Sequence, residues 1–114
     1  MPTTFAEKRQ YPRLKVTAPL SYQIRGMPQQ THALSNTLSA GGLSFVNENF
    51  IPVNTCISFE INVLSKALNP IGIVRWSQPL PHSDRYQAGI EFLELEPAQK
   101  KYLCDYLKMR LGTV

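Results

Sequence analysis

Two arginines, Arg9 and Arg13, bracket the stretch Arg9-Gln10-Tyr11-Pro12-Arg13. A guanidinium forks onto phosphate oxygens or onto the O6/N7 edge of guanine, and its flat face stacks on a base. Pro12 fixes its own φ and biases Tyr11 towards extended geometry, so the pair sits on a semi-rigid lead into the chain. Two such groups can converge on one phosphate-and-purine ligand, although the pair alone also describes a solvated basic arm. Lys8, directly before Arg9, adds either phosphate attraction or one more solvated charge.

A second stretch, Thr37-Leu38-Ser39-Ala40-Gly41-Gly42-Leu43, has different chemistry. Ser39 supplies a short donor and acceptor, while Gly41 and Gly42 let the backbone approach a neighbour closely or adopt positive φ. An ordinary glycine-containing β-turn fits the same residues. Catalysis has little to work with: there is no Gly-x-Ser-x-Gly elbow, no Walker loop and no paired histidines at helical spacing. Glu91, Glu94 and Glu96 cluster as a solvated face does, and nothing offers a nucleophile beside a base, so a non-enzymatic binding protein is expected. His32 and His82 are isolated from each other and from Cys56 and Cys104, which argues against a metal site; Cys56 in an alternating run and Cys104 in a helical one read as two buried, reduced thiols, with a disulfide as the lesser alternative.

The elements that must position these residues fit one domain of 114 residues with 43% hydrophobic and 18% charged content. The net charge of +4 permits an anionic partner without requiring one. No apolar run is long enough to cross a bilayer, and the N-terminus lacks the apolar segment of a signal peptide, so a cytoplasmic location without membrane insertion is expected. Residues 1–13 read as a flexible arm and 14–112 as the folded domain. From Leu14 apolar and polar residues alternate through Val16, Ala18, Leu20, Tyr22 and Ile24, a half-buried strand in which Pro19 suggests an edge or a bulge. Further strands are expected over Thr31–Leu38, from Gly42, over Ile57–Val63, over Ile71–Trp76 and over Tyr86–Phe92. In the fourth of these, alternation places Trp76 with Val74 and Gly72, so its ring belongs either to the core or to a ligand's purine or arginine. Glu96-Pro97 opens a helix carrying Tyr102, Leu103, Tyr106 and Leu107 on one stripe, with Gly112 as its stop. About six short strands and one terminal helix favour a small closed barrel with the helix over one opening or flank.

Taken together and in this order, the two stretches resemble the signatures of the PilZ family, bacterial receptors for cyclic di-GMP. Arg9 and Arg13 fill its Arg-x-x-x-Arg, and Ser39 and Gly42 fill the serine and last glycine of its Asp/Asn-x-Ser-x-x-Gly, with Gly41 as a frequent extra glycine. Ile73-Val74-Arg75-Trp76 and Gln87-Ala88-Gly89-Ile90-Glu91-Phe92 resemble the family's later strands. The resemblance implies a mainly β fold, a six-stranded antiparallel Greek-key-like barrel with a C-terminal helix. It implies cyclic di-GMP as ligand, no cofactor, and a signal passed to a protein effector when the arm is repositioned. The implied ligand-binding residues are Arg9, Arg13, Thr37, Ser39 and Gly42, with Lys8, Asn36, Gly41 and Trp76 as secondary candidates.

One position departs from that pattern: Thr37 stands where the family has a carboxylate or amide. A carboxylate accepts from both N1–H and N2–H of guanine, whereas a hydroxyl offers one oxygen. Asn36 has suitable chemistry one residue early, but regular alternation points it to the opposite face unless a bulge redirects it. An interaction module with weakened or lost cyclic di-GMP binding is therefore the alternative. Single-stranded nucleic acid is a poorer match, because Phe45, Phe59, Tyr86 and Phe92 fall on positions expected to face inward.

Overall fold

A computed structural model describes residues 13–112; of the arm expected over residues 1–13, all but Arg13, Lys8 and Arg9 included, lies outside the described residues. The chain forms β1 (Leu14–Lys15), β2 (Pro19–Ile24), β3 (Thr31–Ser39), β4 (Gly42–Asn47), β5 (Cys56–Val63), β6 (Lys66–Leu68), β7 (Ile71–Pro79), β8 (Tyr86–Glu94) and α1 (Pro97–Leu111). All pairings are antiparallel. The ladder runs β3-β2-β5-β7-β8-β4, and β3 pairs with β4 to close six strands into the expected barrel. β1 extends β3 beside its C-terminal half, and β6 folds back on β5. Closure removes most of the unpaired strand edge that an open sheet would present.

The alternation read from Leu14 to Ile24 survives as burial, but the strand breaks at residues 16–18. The Ser35 hydroxyl fills that break: it donates to the Val16 carbonyl and accepts from the Ala18 N–H at 2.8 Å. Pro19 is the exposed first residue of β2, a position that needs no ladder donor. The strand is nonetheless not an edge, since it lies between β3 and β5. In β5 the alternation is complete, with Ile57, Phe59, Ile61 and Val63 all buried. Tyr22, Phe45 and Phe59 form an aromatic cluster inside the barrel, with ring centroids 5.2 Å apart for Tyr22–Phe45 and 5.9 Å for Phe45–Phe59. Burial pushes the Tyr22 phenol above its ordinary pKa.

The helix begins as expected, with Glu96 at the N-cap and Pro97 in the first turn, where a missing N–H costs nothing. It ends at Gly112, whose φ of 76° is the left-handed conformation that glycine adopts freely. Leu103, Tyr106 and Leu107 are its buried face, and the Tyr102 hydroxyl donates to the carbonyl of Val63 at the end of β5. The helix thus packs at the barrel end where β3 turns into β4. None of the helices is long and apolar enough to cross a membrane among the described residues. Cys56 and Cys104 are unbonded to each other and half-buried rather than fully buried.

Candidate ligand-binding face

Register and burial sort the side chains of β1, β3, β4, β8 and β7 into an inner and an outer set. Leu14 pairs with Leu38, and Leu38 with Leu43, all on the inner side. Alternation then turns Lys15 outward, and it pairs with Thr37. Thr37 pairs with Ser44, Ser44 with Gly89, and Gly89 with Trp76. Lys15, Thr37, Ser44, Gly89 and Trp76 therefore form one line across five strands on the outside of the barrel. A second line, two residues along, runs Ser39, Gly42, Glu91 and Ile73. Continuing the β1–β3 register by one residue sets Arg13 beside Ser39.

The junction is tightly built. The Ser39 hydroxyl accepts from the Gly41 N–H and donates to the Gly42 carbonyl, both at 3.2 Å, so it shapes the two-residue turn between β3 and β4. Neither Gly41 nor Gly42 has positive φ. Gly42 is required for another reason: a Cβ there would lie 2.0 Å from the Ile90 carbonyl oxygen on β8. Of the two reasons for a glycine that the sequence allowed, close approach is the one realised, and the approaching partner is a neighbouring strand.

Thr37 is occupied as well, its hydroxyl 2.7 Å from that of Ser44. Asn36 sits at a β-bulge, the register stepping from Ser35–Phe45 to Thr37–Ser44 with Asn36 as the extra residue. A second bulge, at Arg75, separates the Val74–Ile90 pair from Trp76–Gly89. It overturns the expectation that Trp76 shares a face with Val74: one inserted residue reverses the parity, and the half-buried indole lies outside across Gly89. A Cβ on Gly89 would come within 2.0 Å of the indole Nε1. Gly89→Ala is accordingly expected to lift the ring off the sheet, red-shift the emission of the protein's single tryptophan, and cost about 1–3 kcal/mol. Unchanged emission in a folded Gly89→Ala protein would contradict this placement.

The face is basic where it meets β1. Glu91, next to Gly42 in register, would repel an anion, but Arg75 pairs with it at 2.5 Å. Both partners are about half exposed, so the pair matters for local charge more than for stability. Lys15 was not singled out from the sequence, although its place two positions after Arg13 puts both on one face of any extended segment. Among the described residues no group of His, Cys, Asp and Glu could hold a metal ion.

A six-stranded barrel with a terminal helix, two cations leading into it and a serine–glycine junction beside them define a class of small β-barrel binding domain. The chain belongs to the PilZ domain family, whose model matches residues 7–108. Among solved structures it is similar to the Bacillus subtilis inhibitor of motility MotI/DgrA, with 20% identity and a TM-score of 0.80 over 92% of this chain and 52% of that one. It is also similar to the PilZ domain of Escherichia coli YcgR with c-di-GMP, at 12% identity and a TM-score of 0.67, covering 94% of this chain and 99% of that one. PlzA of Borreliella burgdorferi, in complex with c-di-GMP, matches at 14% identity and a TM-score of 0.56 over 94% of this chain and 54% of that one. The chain spans about half the length of MotI/DgrA and of PlzA, and at these identities the likeness is one of fold. No curated protein matches it.

Proposed function

We propose that this chain is a cyclic di-GMP receptor that works as an adaptor, its ligand drawing the N-terminal arm onto the outer face of the barrel. The observation that carries this reading is the β1–β3 register, which pairs Lys15 with Thr37 and, continued by one residue, would set Arg13 beside Ser39. A cyclic dinucleotide presents two phosphates and two purines, the chemistry that forked guanidiniums, an ammonium and short hydroxyls recognise. Family membership and two neighbours named with c-di-GMP support the choice of ligand. Arg9, four residues before Arg13, would join it on the ligand once the arm closes. The new surface would then be read by a protein effector in the cytoplasm, with no cofactor, nucleic acid or membrane insertion involved. Calorimetry with cyclic di-GMP at micromolar protein tests the reading: saturable heat is expected, and none from a folded protein would refute it.

A second reading, a PilZ-type interaction module with weakened or lost ligand binding, draws on Thr37. Its hydroxyl is no carboxylate and is already engaged by Ser44. Absence of heat in the same titration, with the thermal transition intact, favours this module.

A further inference from the structure

We propose that Asn36, and not Thr37, is the residue of this chain that reads the base of a bound cyclic dinucleotide. The inference rests on the receptor reading above and assigns its base-recognising side chain. Ser35 and Leu38 are both fixed towards the interior. Ser35 pairs with buried Phe45 and bonds across to Val16 and Ala18, while Leu38 is wholly buried against Leu43. In a regular strand, residues 35 and 38 would face opposite sides. The bulge resolves the conflict by placing two residues, Asn36 and Thr37, where one would stand, so both turn outward opposite Ser44.

Of these two, only Asn36 has a side chain that shares no hydrogen bond. The Thr37 hydroxyl is already shared with that of Ser44, a residue 2% exposed, and as a single atom it cannot offer the spaced donor and acceptor that match a base edge. Asn36 uses its backbone carbonyl to accept from the Val16 N–H at 3.2 Å. Asn36 is partly buried, and its side-chain amide has no hydrogen-bond partner among the described residues. That amide matches the guanine edge, Oδ1 accepting from N1–H while the NH2 donates to O6. Turned over, the same amide matches adenine, donating to N1 and accepting from the exocyclic amine. A carboxylate lacks the donor and would refuse adenine N1. The site therefore discriminates guanine from adenine through this residue less than an aspartate would.

Titration of the full chain with cyclic di-GMP and with cyclic di-AMP tests the assignment, with tryptophan-monitored melting as the check of folding. Asn36→Ala is expected to weaken cyclic di-GMP binding roughly tenfold, and Thr37→Ala by less than about threefold. Asn36→Asp, which keeps the size of the side chain, is expected to raise the guanine-over-adenine affinity ratio about tenfold. Unchanged affinity in Asn36→Ala, an equal or larger loss in Thr37→Ala, or an unchanged ratio in Asn36→Asp would each overturn the assignment. If the unaltered chain binds no cyclic di-GMP, the receptor reading itself has failed, an outcome distinct from a binder indifferent to Asn36.

Discussion

Gly42→Ala is expected to be among the most damaging single substitutions in this chain, costing about 3 kcal/mol or more and lowering the thermal midpoint by roughly 10–20 °C. The added Cβ would meet the backbone oxygen of Ile90 at 2.0 Å. No rotamer relieves that clash, because the obstacle is main chain in a strand paired with β4 over six residues. Nor can β4 withdraw freely, since its other edge is paired to β3 and the barrel is closed. Gly89 differs in kind, because the atom in its way belongs to a side chain that can swing aside. Thermal unfolding by circular dichroism checks the contrast: a Gly42→Ala protein melting within a few degrees of its parent would mean that the two strands can separate. Loss of ligand binding in that variant would report a damaged barrel rather than a missing contact, and so does not place Gly42 on the ligand.

Arg13→Ala is expected to have the largest effect on ligand affinity, a loss of the order of tenfold to a hundredfold, as for a charge-assisted hydrogen bond removed from a bound phosphate or guanine. Arg13 is partly buried directly ahead of β1, where the register continued by one residue sets it beside Ser39. Arg13→Lys should recover only part of the loss, because an ammonium keeps the charge but not the planar fork. Combining Arg9→Ala with Arg13→Ala should bring the heat of cyclic di-GMP binding to baseline while the melting curve stays near that of the parent. Measurement at two salt concentrations separates the contributions, since a pure charge effect weakens with added salt more steeply than a bidentate contact. An Arg13→Ala protein with unaltered affinity would remove the arm from the site.

Most of the architecture could be read from period and punctuation. Period-two alternation located β2, β5 and β8, and Pro97 and Gly112 bounded the helix at residues that retain those roles. The two side chains placed on the wrong face, Asn36 and Trp76, share one cause. Each follows or forms an inserted residue, and a single insertion inverts the parity of everything beyond it. Neither bulge carries a glycine: the extra residues are Asn36 and Arg75, which fit a regular strand equally well. A bulge is a property of two strands in register, and register is set by pairing partners that one strand's own sequence does not reveal. The junction was legible for the same reason that the bulges were not. Ser39 and Gly42 act through contacts within four residues or through the absence of a side chain, and both leave a mark in residue type.

β1 has a consequence out of proportion to its two residues. It rests on the half of β3 that β2 leaves uncovered, and β3 keeps both β2 and β4 as partners whether or not β1 is seated. On the receptor reading proposed above, it would act as a latch, opening as a small cooperative unit while the barrel stays folded. Leu14 packs against the core, the Ser35 hydroxyl bridges Val16 and Ala18 in the segment that follows, and Arg13 and Lys15 flank Leu14. Whatever free energy an anion gains from those two cations when the latch is shut, the shut latch gains from the anion, because the linkage is reciprocal. Tightening the latch by packing alone, with no new contact to any ligand, should thus raise affinity as surely as adding a charge.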